Sequence, residues 1–402
     1  MFKMKMMAFF KNPAIRNSLI ILLVVITTIG LINWPKSDAA EQISVSFRAA
    51  IMNVKVGNKD IEMPEIGPNQ NDQTTKEKKY NNVYCIDEGT SLSYAVYNKE
   101  LNLYSAESTK CFKNYNSALW LIDNMYISTA SNNDELLNYF ANMLTSPEVK
   151  KNVSSYGNIT SDSIKTLNKT VGNGTDSENK LVNRNLIEVI EQIALWNYTN
   201  NANNSDASKY DKLVNSGFSG KNITANDQNT CKYVYYALKY LANKNSDYKS
   251  NGTVNNVISL DATEANINSD KKQVGPYYLK ANGTILNIDS SFKTKISAVV
   301  TKPDNTTEKI DTSKIIVNND GSFYINFADY GEISKSELTI SSIYSGVTTV
   351  ANVIVNSKNQ NLLNLKKTVN LKNLSDKKEV TTSGKYSIIL VKVDEKGNAV
   401  TN

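Results

Sequence analysis

Hydrophobic and polar positions change their rhythm along this chain, and each rhythm predicts a different kind of element. Three stretches carry apolar residues at helical spacing. Glu135 to Leu144 gathers Leu136, Leu137, Phe140, Met143 and Leu144 on one face, with Asn133 or Asp134 as N-cap. Arg184 to Tyr198 gathers Leu186, Ile187, Val189, Ile190, Ile193 and Ala194, and Lys232 to Leu241 gathers Val234, Ala237, Leu238 and Leu241. Polar stretches at 151–183 and 199–229 separate these helices. Residues 57–80 are polar and hold two of the seven prolines, which predicts a loop.

Beyond residue 257 the period falls to two. Short β-rich runs follow one another: Thr284–Ile288, Lys293–Thr301, Ile315–Val317, Ser322–Phe327, Glu337–Tyr344 and Thr348–Val355. Asn318-Asn319-Asp320-Gly321 reads as a hairpin turn between two of them. The pattern predicts a β-sandwich over 258–357, a polar connector over 358–384, and a last strand from Lys385 to Asp394.

The N-terminus is different again. A basic segment of 18 residues precedes the apolar run Leu19–Ile32, and Ser37 and Ala39 stand at the −3 and −1 positions of a cleavage after Ala39. This is the tripartite secretory pattern, so 1–39 is read as a signal peptide, with an uncleaved membrane anchor as the alternative. Either way the rest of the chain is expected outside the cytoplasm.

Composition narrows the chemistry. The chain has no histidine, which removes Ser-His-Asp and Cys-His catalysis and every imidazole metal site; no metal or cofactor is expected. Of the formal +6, the first 39 residues hold five basic residues against one acid, leaving +2 for the remainder. That remainder has no basic stripe, so nucleic acid is not an expected partner.

There are three cysteines, Cys85, Cys111 and Cys231, an odd number for an exported chain. Tyr84-Cys85-Ile86 and, 107 positions later, Gln192-Ile193-Ala194 within Glu191–Trp196 resemble the two motifs of the bacterial thioester-domain family of Gram-positive surface proteins. The family's second motif is Thr-Gln-x-Ala; here Glu191 replaces the Thr. The resemblance covers roughly 80–250. It implies an α+β thioester domain over 40–257, a β-sheet with a helical subdomain, in which Cys85 and Gln192 join, with Tyr84, Ile86, Glu191, Ala194 and Trp196 around the bond.

The chemistry needs no histidine. A thiolate attacks the Gln carboxamide and expels ammonia, leaving an acyl donor that survives where water is excluded. A Lys amine of a host-surface or matrix protein then attacks, giving a single-use crosslink without turnover. On a helical wheel begun at Leu186, Gln192 falls near about 240°, at the rim of the apolar arc beside Trp196, where solvent could approach it. With Cys85 so used, Cys111 and Cys231 remain, and an exported domain allows them to pair; Cys231 alternatively reads as a buried apolar thiol. A non-covalent adhesin with Cys85 in a disulfide stays open, as does a thiol enzyme, which would need a carboxylate or Lys as base.

Tyr386 to Asn398 resembles the opening strand of collagen-adhesin B-type repeats, where the Lys matched by Lys392 forms an isopeptide bond with a partner on a late strand. That partner would lie beyond Asn402. The whole is therefore expected to be a thioester domain, an all-β Ig-like sandwich stalk over 258–357, and the first strand of a further repeat over 385–402. This describes a monomeric stalk tip on the cell wall, attached to the membrane only through the signal segment or an anchor beyond the chain.

Overall fold

A long antiparallel hairpin organises the protein. The strand Lys335–Ile354 runs against the strand Leu362–Thr381, in register from Lys335 opposite Thr381 to Ile354 opposite Leu362. The structure is a computed structural model describing residues 42–48, 51–68, 81–88, 96–98, 101–105, 108–109, 112–175, 181–199, 208–255, 258–355 and 360–382. From Ser44 onward these form one compact unit of mixed α+β architecture with antiparallel sheets. The segment 1–39 expected as a signal, Cys111, the strand expected at Lys385 and Lys392 lie outside the described residues.

The hairpin's two halves serve different surroundings. Near Lys335–Ile340 its first strand pairs with Ile296–Thr301, whose ISAVVT sequence alternates buried and half-buried positions as a half-covered strand must. Near Gly346–Thr348 it pairs with Thr253–Asn255, and at Asn352–Val353 with Leu101–Asn102. Register shifts between Ser342 and Gly346 mark the change of neighbours. Gly346 is required there: a Cβ would stand 2.0 Å from the Val254 carbonyl.

A second sheet, Ile258–Asp261, Gln273–Ala281, Ser322–Asn326 and Ile315–Val317, turns Leu260, Val274, Tyr277, Leu279, Phe323 and Ile325 inward. Asn318–Gly321 closes the hairpin between its last two strands as expected, with Gly321 N–H donating to Asn318 O at 3.1 Å.

Three sequence expectations are corrected. Residues 358–384 are not a polar connector: Leu362–Thr381 is a strand, with Leu363, Leu365, Lys367 and Val369 alternately buried. Residues 57–80 are not all loop, since Lys59–Glu62 and Glu65–Pro68 are strands. Glu337–Tyr344 and Thr348–Val355 are one strand, Lys335–Ile354.

The expected helices are present as Asn133–Leu144, Leu186–Thr199 and Asp227–Lys244, joined by Tyr115–Asn124. Leu186–Thr199 packs against Tyr115–Asn124 and Asp227–Lys244, and of its residues only Asn197 escapes full burial.

Candidate functional site

The strand Asn81–Cys85 sets the site through an unfinished edge. On one side it pairs with the hairpin, Cys85 opposite Leu362 and Tyr84 opposite Leu363. On the other side the strand Glu65–Pro68 reaches only Asn81 and Asn82, and Val83 N–H is met by Pro64 O at 3.1 Å. Beyond Val83 that outer edge has no strand partner among the described residues, and buried backbone groups cannot be left unpaired cheaply.

Side chains take the place of the missing strand. Arg184 Nη2 donates to Val83 O at 2.6 Å. Cys85 N–H donates to Gln192 Oε1 at 2.7 Å, and Gln192 Nε2 donates to Cys85 O at 2.8 Å. Trp196 Nε1 donates to the same Cys85 carbonyl at 3.1 Å, and Thr199 Oγ1 to Ile86 O at 2.8 Å. Gln192, Trp196 and Thr199 follow one face of the helix Leu186–Thr199 at spacings of four and three residues. The Gln192 carboxamide therefore lies flat against the main chain of the very residue that carries the thiol. Cys85 is 2% exposed and Gln192 is 0% exposed, so bulk water is kept from both.

This corrects the expectation of a solvent-reachable rim for Gln192. Helical periodicity puts Glu188, Glu191 and Gln192 off the apolar arc, yet all three are buried because each finds backbone or hydroxyl donors and acceptors. Glu188 Oε1 accepts from Ser128 N at 2.9 Å and Ser128 Oγ at 2.7 Å, and Glu191 Oε1 accepts from Tyr126 N at 2.6 Å. Glu191 thus anchors the segment leaving the helix Tyr115–Asn124.

Charges gather behind the pair. Arg184 lies 3.6 Å from Glu188 and its guanidinium stands 5.5 Å over the Tyr84 ring, with both ionic side chains enclosed. Lys367, on the inward alternation of the hairpin strand, donates to Asp123 O at 2.9 Å and Met125 O at 2.6 Å. Burial holds the Glu191 carboxyl well above the usual carboxylate range, despite the Tyr126 N–H and the Lys367 ammonium. Burial likewise pushes Lys367 down to about 8, opposed by Asp123 and Glu191. The Tyr84 hydroxyl is pushed up by burial and by the nearby Glu188 and Glu191.

Tyr84, Cys85, Ile86, Glu191, Gln192, Ala194 and Trp196 are all buried along this strand and helix. Cys231 is elsewhere, a free thiol enclosed in the helix Asp227–Lys244 and pushed up by burial; Cys111, its expected partner, lies outside the described residues. Sequence reasoning missed Arg184, Glu188 and Lys367. The first two lie outside the apolar face read for Arg184 to Tyr198, and Arg184 falls on the strand Leu181–Asn185 just before the helix. Lys367 was legible only as a cation on the inward phase of Leu363, Leu365 and Val369.

Chemically, the arrangement presents a thiol and a carboxamide in a dry site, with a backbone N–H on the carbonyl oxygen. That is where negative charge develops when a nucleophile adds to the carbonyl. Among the described residues no group of His, Cys, Asp and Glu is placed to hold a metal ion. No protein-family profile matches the chain, and no curated protein or solved structure shows significant similarity to it.

Proposed function

We propose that the chain is a surface adhesin in which Cys85 and Gln192 form an internal thioester, opened by a Lys amine of a host-surface or matrix protein. The observation that carries this reading is the two-point hydrogen bonding of the Gln192 carboxamide to the Cys85 main chain, inside the core and 107 positions away.

In the first step the Cys85 sulfur attacks the Gln192 carbonyl carbon. Cys85 N–H stabilises the oxygen as it gains charge, and Nε2 departs as ammonia with the thiol proton. Fixing both groups on rigid elements supplies the effective concentration that a free thiol and amide lack. In the second step the amine attacks the same carbon, the carbon–sulfur bond breaks, and the Cys85 thiol is restored beside a new amide. The Gln192 acyl group is consumed, so the protein acts once.

Around this site the reading assigns residues 40–257 to a thioester domain and 258–357 to an Ig-like stalk, with export directed by the N-terminal segment. The hairpin strand Leu362–Thr381 lies beyond both ranges and, paired with Cys85, belongs to the site. To test the function, the chain is incubated with a biotinylated primary amine and mapped by peptide mass spectrometry. Label on Gln192, and none in the Cys85→Ala variant, is expected. Label that survives Cys85→Ala, or no label on Gln192, would contradict the proposal.

A further inference from the structure

Beside the Cys85–Gln192 pair stands a second group of side chains that the chemistry above does not use. The Glu88 carboxylate, only 4% exposed, accepts from Lys209 Nζ at 2.6 Å and from Tyr210 Oη at 2.7 Å, and it also binds Lys59 Nζ. Lys59 Nζ lies 5.1 Å from the centroid of the Trp196 ring, and the Trp196 and Tyr210 rings are 5.9 Å apart. A buried carboxylate, two aromatic rings and an ammonium seated on one of them are the parts of an alkylammonium recognition site.

Its position is what matters. Trp196 is the floor of this group and, through its indole N–H, a partner of the same Cys85 carbonyl that holds Gln192. The Glu88 side chain is 4% exposed and Trp196 and Tyr210 are buried, whereas the Lys59 and Lys209 side chains are 28% and 38% exposed, so the lysines are the more accessible members of the group. Lys59 thus bridges the Glu88 carboxylate and the ring whose indole N–H meets the Cys85 carbonyl.

We infer that Glu88, Trp196 and Tyr210 form the recognition site for the ammonium head of the incoming amine, and that Lys59 occupies it as an internal stand-in until a ligand lysine displaces it. This rests on the thioester reading for its chemistry, but the binding site itself does not. In the reaction Glu88 takes one proton from the bound ammonium and passes it to solvent. The freed amine attacks the Gln192 acyl carbon, the carbon–sulfur bond breaks, and a second nitrogen proton goes to the Cys85 sulfur. The resulting amide nitrogen keeps the third.

The test compares two nucleophiles on the full chain, followed by intact mass: methylamine, a cation at neutral pH, and hydroxylamine, which is neutral there. Lys59→Met should speed the methylamine reaction at least about fivefold and leave hydroxylamine unchanged. Adding Glu88→Gln to Lys59→Met should remove that gain for methylamine alone. Equal changes for both nucleophiles, or none, would overturn the inference.

A second measurement is independent of the thioester: the Trp196 indole N–H resonance is followed as methylammonium is titrated into Cys85→Ala/Lys59→Met. Saturable shifts, lost when Glu88→Gln is added, support the site even if no thioester exists. Their absence from a folded variant refutes it even if the thioester is found.

Discussion

Replacing Gln192 by Glu tests the strand-edge geometry with a change of one atom. The carboxamide both accepts from Cys85 N–H at 2.7 Å and donates to Cys85 O at 2.8 Å. An ionised carboxylate can only accept, so its second oxygen would face the Cys85 carbonyl in an enclosed site. A protonated carboxyl restores both bonds. The native state of Gln192→Glu should therefore hold the new carboxyl protonated well above its unfolded value of about 4.3, as documented for fully buried Glu at about 8.

The sign follows directly. Between those two values the folded protein binds more protons than the unfolded chain, so stability falls as pH rises, by about 1.4 kcal/mol per unit. Relative to the parent, Gln192→Glu should be nearly neutral at about pH 4 and lose roughly 3 kcal/mol between about pH 5 and about pH 7. Both proteins carry Cys85→Ser, so that neither can form a thioester, and urea unfolding is compared across pH. Parallel stability curves would refute the reasoning, because they would mean that the carboxamide does not donate to Cys85 O inside the core.

Other outcomes follow from the charges behind the site. Since burial lowers Lys367 to about 8, the unfolded chain holds the extra proton above that pH, and wild type should gain on Lys367→Met by roughly 2 kcal/mol between about pH 7 and about pH 9.5 in urea titrations. Arg184→Met strands the Glu188 carboxylate and should cost roughly 3–5 kcal/mol, partly recovered in Arg184→Met/Glu188→Met, by the same assay. Cys231, enclosed and with its thiol pushed up, should resist maleimide in the native protein and react on unfolding; rapid native labelling mapped to Cys231 would contradict its placement.

Much of the fold was legible from period alone. The apolar faces of Asn133–Leu144, Leu186–Thr199 and Asp227–Lys244 predicted their helices, and alternation predicted Ile296–Thr301 and Ser322–Asn326. What escaped were elements whose polar residues find partners inside. Leu362–Thr381 is rich in Lys and Asn and reads as a connector, yet it forms a strand because Lys335–Ile354 supplies its hydrogen bonds. Glu65–Pro68 looks like loop for the same reason: its pairing partners, Val45–Arg48 and Asn81–Asn82, are not local.

At the site, the Tyr84-Cys85-Ile86 and Gln192-Ile193-Ala194 motifs pointed to two segments that do meet. Burial of Gln192 was not legible, because the edge it caps exists only once Glu65–Pro68 ends short of Val83. Nor was the part played by the hairpin, since Leu362 pairs with Cys85 across 277 positions of sequence. A fragment ending at residue 257 would lack that partner, and Lys367 with it.

The most direct test is therefore made on the chain carrying the hairpin, from residue 40 to residue 402. Its intact mass is measured denatured and without reductant, beside Cys85→Ala. The account predicts a wild-type mass lower than calculated by one ammonia, a deficit absent from Cys85→Ala and erased when methylamine adds to Gln192. A full calculated mass with Gln192 still an unmodified carboxamide would contradict it.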